Sequence, residues 1–135
     1  MTGLWTLIVV VVVALGFGTY RRVTDGRGRA VTRATPVSEF EGELGEKATF
    51  VQFSSPVCAP CHATRRILGS LADERPGIAV VDVDVSERLD LAELHGVSRT
   101  PTVLVLDGAG VVRQRIVGAP TRVRALAALD EALAA

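Results

Sequence analysis

The hydrophobic pattern divides the chain into one long apolar run and a region in which short apolar stretches recur. The run extends from Leu4 to Tyr20 and contains seventeen residues, none of them charged. Beyond it, stretches of β-branched and aromatic residues alternate with amphipathic stretches of helical spacing. The pattern therefore predicts one apolar helix followed by a domain in which strands and helices alternate.

The predicted elements of this domain follow the order β-α-β-α-β-α-β-β-α. Strands are expected at Ala30–Ala34, Thr49–Ser54, Ile78–Val85, Thr102–Leu106 and Val111–Val117. Helices are expected from the capping box Ser38-x-x-Glu41 to Gly45, and at Cys58–Ala72, Glu87–Leu94 and Arg122–Ala134. Because the last two strands form a hairpin, the order predicts an α/β fold with a mixed central sheet and helices on both faces.

Two of the predicted helices have an apolar stripe that is expected to face the sheet. The stripe of the first consists of Ala63, Ile67 and Leu71. The stripe of the C-terminal helix consists of Val123, Leu126, Leu129 and Leu133.

The apolar run is long enough to act as a membrane anchor. At about 1.5 Å per residue it spans roughly 25 Å, and Trp5 and Tyr20 lie at its ends, where aromatic rings favour the interface. A buried helix is the first alternative, but a chain of 135 residues offers little to cover it. A cleaved signal peptide, the second, would have a basic segment before the run. We expect a single-pass anchor over residues 1–22, a linker over 23–30 and a folded domain over 31–135.

The distribution of charge predicts which side of the membrane the domain occupies, and it argues against nucleic acid as a partner. Residues 1–36 carry a net charge of +4 and residues 37–135 carry −4, so the formal net charge is zero. The basic residues near the run all follow it, which predicts a cytoplasmic domain; an extracytoplasmic domain is the alternative. Without a basic face on the domain, nucleic acid is not an expected partner. Fourteen Arg against one Lys indicate a GC-rich genome, and a bacterial source is expected.

The candidate chemistry lies in the sequence Cys58-Ala59-Pro60-Cys61, which begins a predicted helix directly after a predicted strand. Cysteines three residues apart on a first helical turn bring their sulfurs within bonding distance. The free N–H groups of a helix N-terminus favour a thiolate, and Pro60 suits a first turn because its missing N–H costs nothing there. The pattern is typical of a redox-active cysteine pair.

Other interpretations of the cysteines remain open on the sequence. The pair would also serve as a purely structural disulfide. A zinc site would need four ligands, for which only Cys58, Cys61, His62 and His95 are available. Cys58 to His62 also fits C-x-x-C-H, the attachment pattern of c-type haem, but the only Met is Met1 and a second axial ligand is not evident. We expect no metal and no cofactor, with His62 an exposed helix residue near the pair.

Residues 31–135 resemble a thioredoxin, because the expected landmarks occur in order. These landmarks are FVQF, CAPC, VVDVDV, the segment GVSRTPTVLVLDGAGVV and RIVGA. The resemblance implies the thioredoxin fold, with Pro101 in the cis form beside the cysteine pair rather than an ordinary trans turn. It also implies that Thr100 offers backbone hydrogen bonds to a substrate strand.

Three positions depart from the pattern of the family. Val57 stands where thioredoxins usually have an aromatic residue before the first cysteine. Gln52 occupies the place of a buried Asp that assists proton movement, and Val80 or a neighbour replaces the Lys that faces it. Because an amide cannot take up a proton at neutral pH, thiol exchange is expected to be slower than in a general thioredoxin.

Together these observations predict a membrane-anchored protein disulfide reductase. In this hypothesis Cys58 is the nucleophile, Cys61 resolves the mixed disulfide, and a Cys58–Cys61 bond is left. Thr100 and Pro101 bind substrate, while Ala59, Pro60, Gln52 and His62 support the pair. The expected partners are protein disulfides, the membrane and an electron donor, which is thioredoxin reductase if the domain is cytoplasmic. The alternatives are an extracytoplasmic oxidoreductase, as in cytochrome c maturation, and a non-catalytic binding module.

Overall fold

The computed structural model describes residues 1–24, 28–30, 38–40 and 43–135 of the chain. The helices are α1 (Thr2–Thr24), α2 (Ala59–Glu74), α3 (Leu89–Leu94) and α4 (Arg122–Ala134), and a 3₁₀ turn covers Ser38–Phe40. The strands are β1 (Gly28–Ala30), β2 (Ala48–Ser54), β3 (Ile78–Asp84), β4 (Thr102–Asp107) and β5 (Val112–Val117). From β2 onward the order of strands and helices is the one that the sequence predicts.

The five strands form one mixed sheet in the order β1-β5-β4-β2-β3. β2 and β3 are parallel, with Gln52 opposite Asp82, whereas the other three pairs are antiparallel. The prediction of a mixed central sheet is therefore confirmed. β2 lies between β4 and β3, and all seven of its residues are buried, as expected for a central strand covered on both faces.

The core lies on both faces of the sheet. On one face α2 and α4 cover Phe50, Val103, Val105 and Ile116 with the buried residues Leu68, Leu71, Ala125 and Leu129. On the other face Val51, Phe53, Leu104 and Leu106 pack with Phe40 of the 3₁₀ turn and Leu91 of α3. Each strand thus buries alternate residues against different helices, as the period of two in a strand requires.

The N-terminal helix α1 is separate from this core. Its stretch from Thr2 to Tyr20 has a mean hydropathy of 2.1, and none of it is buried against the rest of the protein. Among the residues described, it is the one helix whose length and composition would allow it to cross a membrane. The helix continues to Thr24, two residues beyond the predicted anchor.

The first strand and the predicted linker differ from the sequence-based expectation. The sequence predicts a strand at Ala30–Ala34, whereas β1 is Gly28–Ala30 and pairs with Gln114–Ile116 of β5. Residues 31–37 and 41–42, which include the rest of the predicted strand and Glu41 of the capping box, lie outside the described residues. A strand of three residues is too short to show a side-chain pattern in the sequence. The position of β1 depends instead on its backbone pairing with β5.

The predicted helix faces are partly wrong. Ala63 is exposed, while Cys61, Thr64, Leu68 and Leu71 form the buried side of α2. On α4 the predicted core residues Val123 and Leu133 are 76% and 38% exposed. The residues of α4 that are buried are instead Ala125, Ala128, Leu129 and Ala132. Small side chains let α4 lie close to the sheet, so its large apolar residues do not mark the inward face.

The turn between β4 and β5, residues Asp107–Val111 and hereafter the hairpin turn, is organised around one carboxylate. One oxygen of Asp107 accepts hydrogen bonds from the backbone N–H groups of Ala109 and Val111, at 2.9 and 3.0 Å. The other oxygen accepts from Nε of Arg113 at 2.7 Å. Burial alone would raise the pKa of Asp107, but the bonds from Val111, Arg113 and Ala109 outweigh it and lower that pKa.

Candidate active site

The first cysteine is placed by the junction between β2 and α2. Cys58 is the N-cap residue of α2, with an extended backbone at φ −96° and ψ 97°. Its Sγ accepts a hydrogen bond from the backbone N–H of Cys61 at 3.2 Å. Its own N–H donates to the carbonyl oxygen of Ser55 at 3.2 Å. A sulfur at this place receives both a direct N–H donor and the positive end of the helix dipole, and both favour a thiolate.

The two cysteines are joined in a disulfide, with their Cα atoms 5.3 Å apart. They differ in accessibility, because Cys58 is 8% exposed and Cys61 only 1%. Val57, directly before the pair, is 94% exposed. A group approaching from solvent therefore meets Cys58 first, with Cys61 behind it.

A second loop reaches the same end of the sheet. Thr102, the first residue of β4, pairs with Phe53 near the end of β2, so the residues before it lie beside the start of α2. The Thr100–Pro101 peptide bond is cis, and Pro101 is buried. The carbonyl oxygen of Pro101 accepts a hydrogen bond from the N–H of Gly118 at 2.8 Å, which ties this loop to the end of β5.

Gln52 lies directly beneath the cysteine pair and is completely buried. Its Nε2 donates a hydrogen bond to the carbonyl oxygen of Cys61 at 2.9 Å. Its Oε1 is also buried, and none of the residues that the structure describes donates to it. The side chain thus holds the backbone of α2 at the second cysteine and leaves one acceptor unused.

The remaining residues proposed from sequence surround the pair in different ways. Ala59, Pro60 and His62 are exposed on the first turn of α2. Thr64, which was not among the residues proposed from sequence, also belongs to this turn, and its buried Oγ1 donates to the carbonyl oxygen of Pro60 at 2.9 Å. A Thr inside a helix often donates its hydroxyl to the carbonyl four residues earlier, so its place in the first turns of α2 is the signal that could have found this bond.

A cavity of about 260 Å³ opens beside the two loops. Two of its lining residues belong to these loops. The carbonyl oxygen of Ser55 accepts from the N–H of Cys58, and Thr100 precedes the cis-proline. Its lining consists of Ser55, Val85, Leu89, Ala92, Val97, Ser98, Arg99 and Thr100. The cavity therefore adjoins the disulfide end of the sheet and is partly apolar.

His95, one of the four residues considered as zinc ligands, lies in an aromatic environment. His95 is buried between the rings of Phe40 and Phe53, with both ring centroids 5.8 Å from its own. Within the described ranges, no group of three or more His, Cys, Asp or Glu side chains is arranged to hold a metal ion.

Comparison with known proteins agrees with this geometry. The family model described as Thioredoxin matches residues 31–131. A thioredoxin of Chlorobaculum thiosulfatiphilum is 31% identical over 84 residues, which cover 60% of this chain and 78% of that protein. Thioredoxin-2 of Saccharomyces cerevisiae is 32% identical over 91 residues, which cover 66% of this chain and 86% of that protein.

A solved structure shows the same likeness in three dimensions. A mutant thioredoxin from Halobacterium salinarum superimposes with a TM-score of 0.52 at 26% identity, over 60% of this chain and 72% of that one. The Cys58–Cys61 pair at the start of α2 is accordingly a thiol–disulfide redox pair. The chain belongs to the thioredoxin family.

Proposed function

We propose that the protein is a membrane-tethered protein disulfide reductase in which Cys58 attacks the substrate. The observation that carries the proposal is the unequal accessibility of the two sulfurs at a helix N-terminus, with Cys58 8% and Cys61 1% exposed. The Cys58 thiolate attacks one sulfur of a substrate disulfide, forms a mixed disulfide and releases the other sulfur as a thiolate. Cys61 then attacks Cys58, which releases the second substrate thiol and leaves the Cys58–Cys61 disulfide.

The backbone around the pair supports this assignment of roles. The N–H of Cys61 that reaches Cys58 Sγ stabilises negative charge on Cys58 in the attacking form. Burial of Cys61 keeps its sulfur away from bulk solvent until the mixed disulfide is in place. Two electrons from a dithiol donor then restore the reduced pair, and the proposed donor of a cytoplasmic domain is thioredoxin reductase.

Thr100 and Pro101 are proposed to hold the substrate chain next to Cys58. The position of Thr100 beside the cavity supports an extended segment that pairs with the backbone of this loop. Main-chain bonds of this kind fix the direction of the substrate without selecting its sequence.

The membrane tether and its orientation form the second part of the proposal. The apolar surface of α1 from Thr2 to Tyr20 supports insertion. Arg21 and Arg22 directly follow the apolar run, which supports a domain on the cytoplasmic side.

Trapping experiments test the reductase assignment. A Cys61→Ser variant is expected to accumulate mixed disulfides with substrate proteins, because the resolving thiol is absent. Its matched control is Cys58→Ser, which is expected to form none and to lose disulfide reduction altogether. If both variants trapped substrates equally, Cys58 would not be the nucleophile. If Cys58→Ser kept the cellular role of the protein, the domain would be a binding module.

Labelling with a membrane-impermeant maleimide tests the orientation. Both cysteines of the chain lie in the same domain, so labelling of reduced, intact cells reports which side that domain occupies. Labelling only after lysis is expected. Labelling of intact cells would move the function to disulfides of the cell envelope, and recovery in the soluble fraction would contradict the tether.

A further inference from the structure

The buried amide of Gln52 has a hydrogen-bond partner for its nitrogen and, among the described residues, none for its oxygen. A carbonyl oxygen can only accept, so the part of the Gln52 amide that faces the Cys61 carbonyl at 2.9 Å is Nε2, and the orientation of the amide follows. Oε1 is then left inside the protein, where none of the described residues donates to it. An unpaired acceptor in the interior is costly, and natural proteins seldom keep one without a reason.

The neighbouring polar groups on this side of the sheet are already committed. Ser54 lies two residues along β2 and therefore on the same face as Gln52. Its hydroxyl donates to Asp82 at 2.8 Å, and the other oxygen of Asp82 pairs with Arg65. The hydroxyl of Thr64 in α2 donates to the carbonyl oxygen of Pro60. These donors have their acceptors in the disulfide form, so none of them is available to Gln52.

The group beside Gln52 that changes with redox state is Cys61. In the disulfide its sulfur carries no proton and cannot donate. Reduction by two molecules of a thiol such as glutathione breaks the Cys58–Cys61 bond and joins the two glutathione sulfurs. Two electrons and two protons pass to the protein, and the proton on Cys61 creates an S–H donor that the oxidised form lacks.

We propose that Oε1 of Gln52 accepts a hydrogen bond from the Cys61 thiol in the dithiol form only. This role rests on the redox function proposed above and makes Gln52 a positioning residue. It favours the dithiol, since Oε1 has a donor in the reduced form and has none among the described residues in the oxidised form. The consequence is a higher reduction potential, and hence a more easily reduced pair, than the same site would have without the amide oxygen.

Equilibration of the full chain in detergent micelles with glutathione buffers tests the proposal. Gln52→Met keeps the length of the side chain and removes the acceptor together with the Nε2 donor. It is expected to shift the equilibrium about tenfold toward the disulfide, which corresponds to a potential about 30 mV more negative. The matched control is Gln114→Met, the same change at a second buried glutamine, whose Nε2 donates to Glu131. This control is expected to lower the stability of both redox forms and to leave the potential unchanged.

An unchanged or raised potential in a folded Gln52→Met protein would overturn the proposal. It would leave the reductase function untouched, since the dithiol would still form and still reduce substrates. Conversely, a shifted potential in a protein that traps no substrate would keep the role of Gln52 and remove the proposed function. The two failures are therefore distinguishable.

A second measurement decides the matter if Gln52→Met does not fold. The variant Cys58→Ala holds a single thiol, Cys61, because the chain has two cysteines. The infrared S–H stretch of this thiol is expected at lower frequency than that of the unfolded chain, as for a thiol bonded to an amide oxygen. A stretch at the frequency of a thiol without an acceptor would overturn the proposal.

Discussion

The two ends of the central sheet are built from similar parts and behave differently. Residues Ala48 and Asp107 pair at one end, next to the hairpin turn, and Phe53 and Thr102 pair at the other, next to the cysteines. At the hairpin turn each oxygen of the buried Asp107 has at least one donor. At the cysteine end the buried Oε1 of Gln52 has none among the described residues.

The difference shows how one sheet supports both stability and chemistry. A fully satisfied network has one best arrangement and gains nothing from a change of state. A site with an unused acceptor beside a disulfide can form a new hydrogen bond when reduction of the disulfide adds a thiol proton. We therefore expect substitutions at the hairpin turn to change stability alone, and substitutions at the cysteine end to change redox behaviour as well.

The largest stability effect is expected for Asp107→Ala. The change leaves the N–H groups of Ala109 and Val111 and the Arg113 guanidinium without their acceptor. The expected loss is about 3 kcal/mol in the free energy of unfolding, measured by urea denaturation of the full chain in micelles. The reduction potential of the cysteine pair is expected to stay constant. A change in that potential would show that the two ends are coupled and would break the comparison.

The pH dependence of stability sharpens the same contrast. Because the folded pKa of Asp107 is lowered, its ionised form contributes stability that is fully present above the unfolded value near 4. That contribution is lost as the pH falls through the folded pKa. The difference in unfolding free energy between the wild type and Asp107→Asn should therefore shrink as the pH decreases below about 4.

This difference isolates one carboxylate from the others that titrate at low pH. Asp84 has a lowered pKa because of the hydroxyl and backbone N–H of Ser86, and Asp90 because of Arg88. Both are present in each of the two proteins, so their contributions cancel. A gap that stayed constant down to the acid transition would show that the charge of Asp107 is not what stabilises the turn.

The smallest expected effects come from a matched pair of glycines. Gly110 in the hairpin turn has φ +79°, and Gly118, which donates to the Pro101 carbonyl, has φ +87°. A side chain is strained in this conformation, so either Gly→Ala change should cost about 1 kcal/mol. Only Gly118→Ala is expected also to slow reduction of a protein disulfide, since it disturbs the cis-proline loop. Equal rates for the two variants would contradict a role for that loop in substrate binding.

Much of the fold was accessible to sequence reasoning because its signals are local. The β-branched and aromatic residues of TFVQFS identify β2, and the hairpin residues between Asp107 and Gly110 identify the turn. The position of Gln52 beneath the cysteines follows from the landmarks shared with thioredoxins. The mixed sheet then follows from the order of the elements and the family resemblance.

The failures concern properties that arise only when elements pack together. Val123 and Leu133 have helical spacing, yet the close approach of α4 to the sheet favours the alanine side of the helix. The three bonds to Asp107, and the position of the Gln52 oxygen away from every donor in the described part of the chain, depend on the arrangement of several segments at once. No local pattern contains this information, so the sequence predicts a turn and a polar residue without their energetic roles.

The composition of α1 determines how the protein can be observed with light. The chain has one Trp and one Tyr, and both Trp5 and Tyr20 lie in this exposed apolar helix. Intrinsic fluorescence therefore reports whether α1 is surrounded by water or by lipid, and it reports this independently of the redox state of the cysteines. A domain without α1 would have almost no near-ultraviolet absorbance, so its concentration would have to be determined from the peptide bonds or from its thiols.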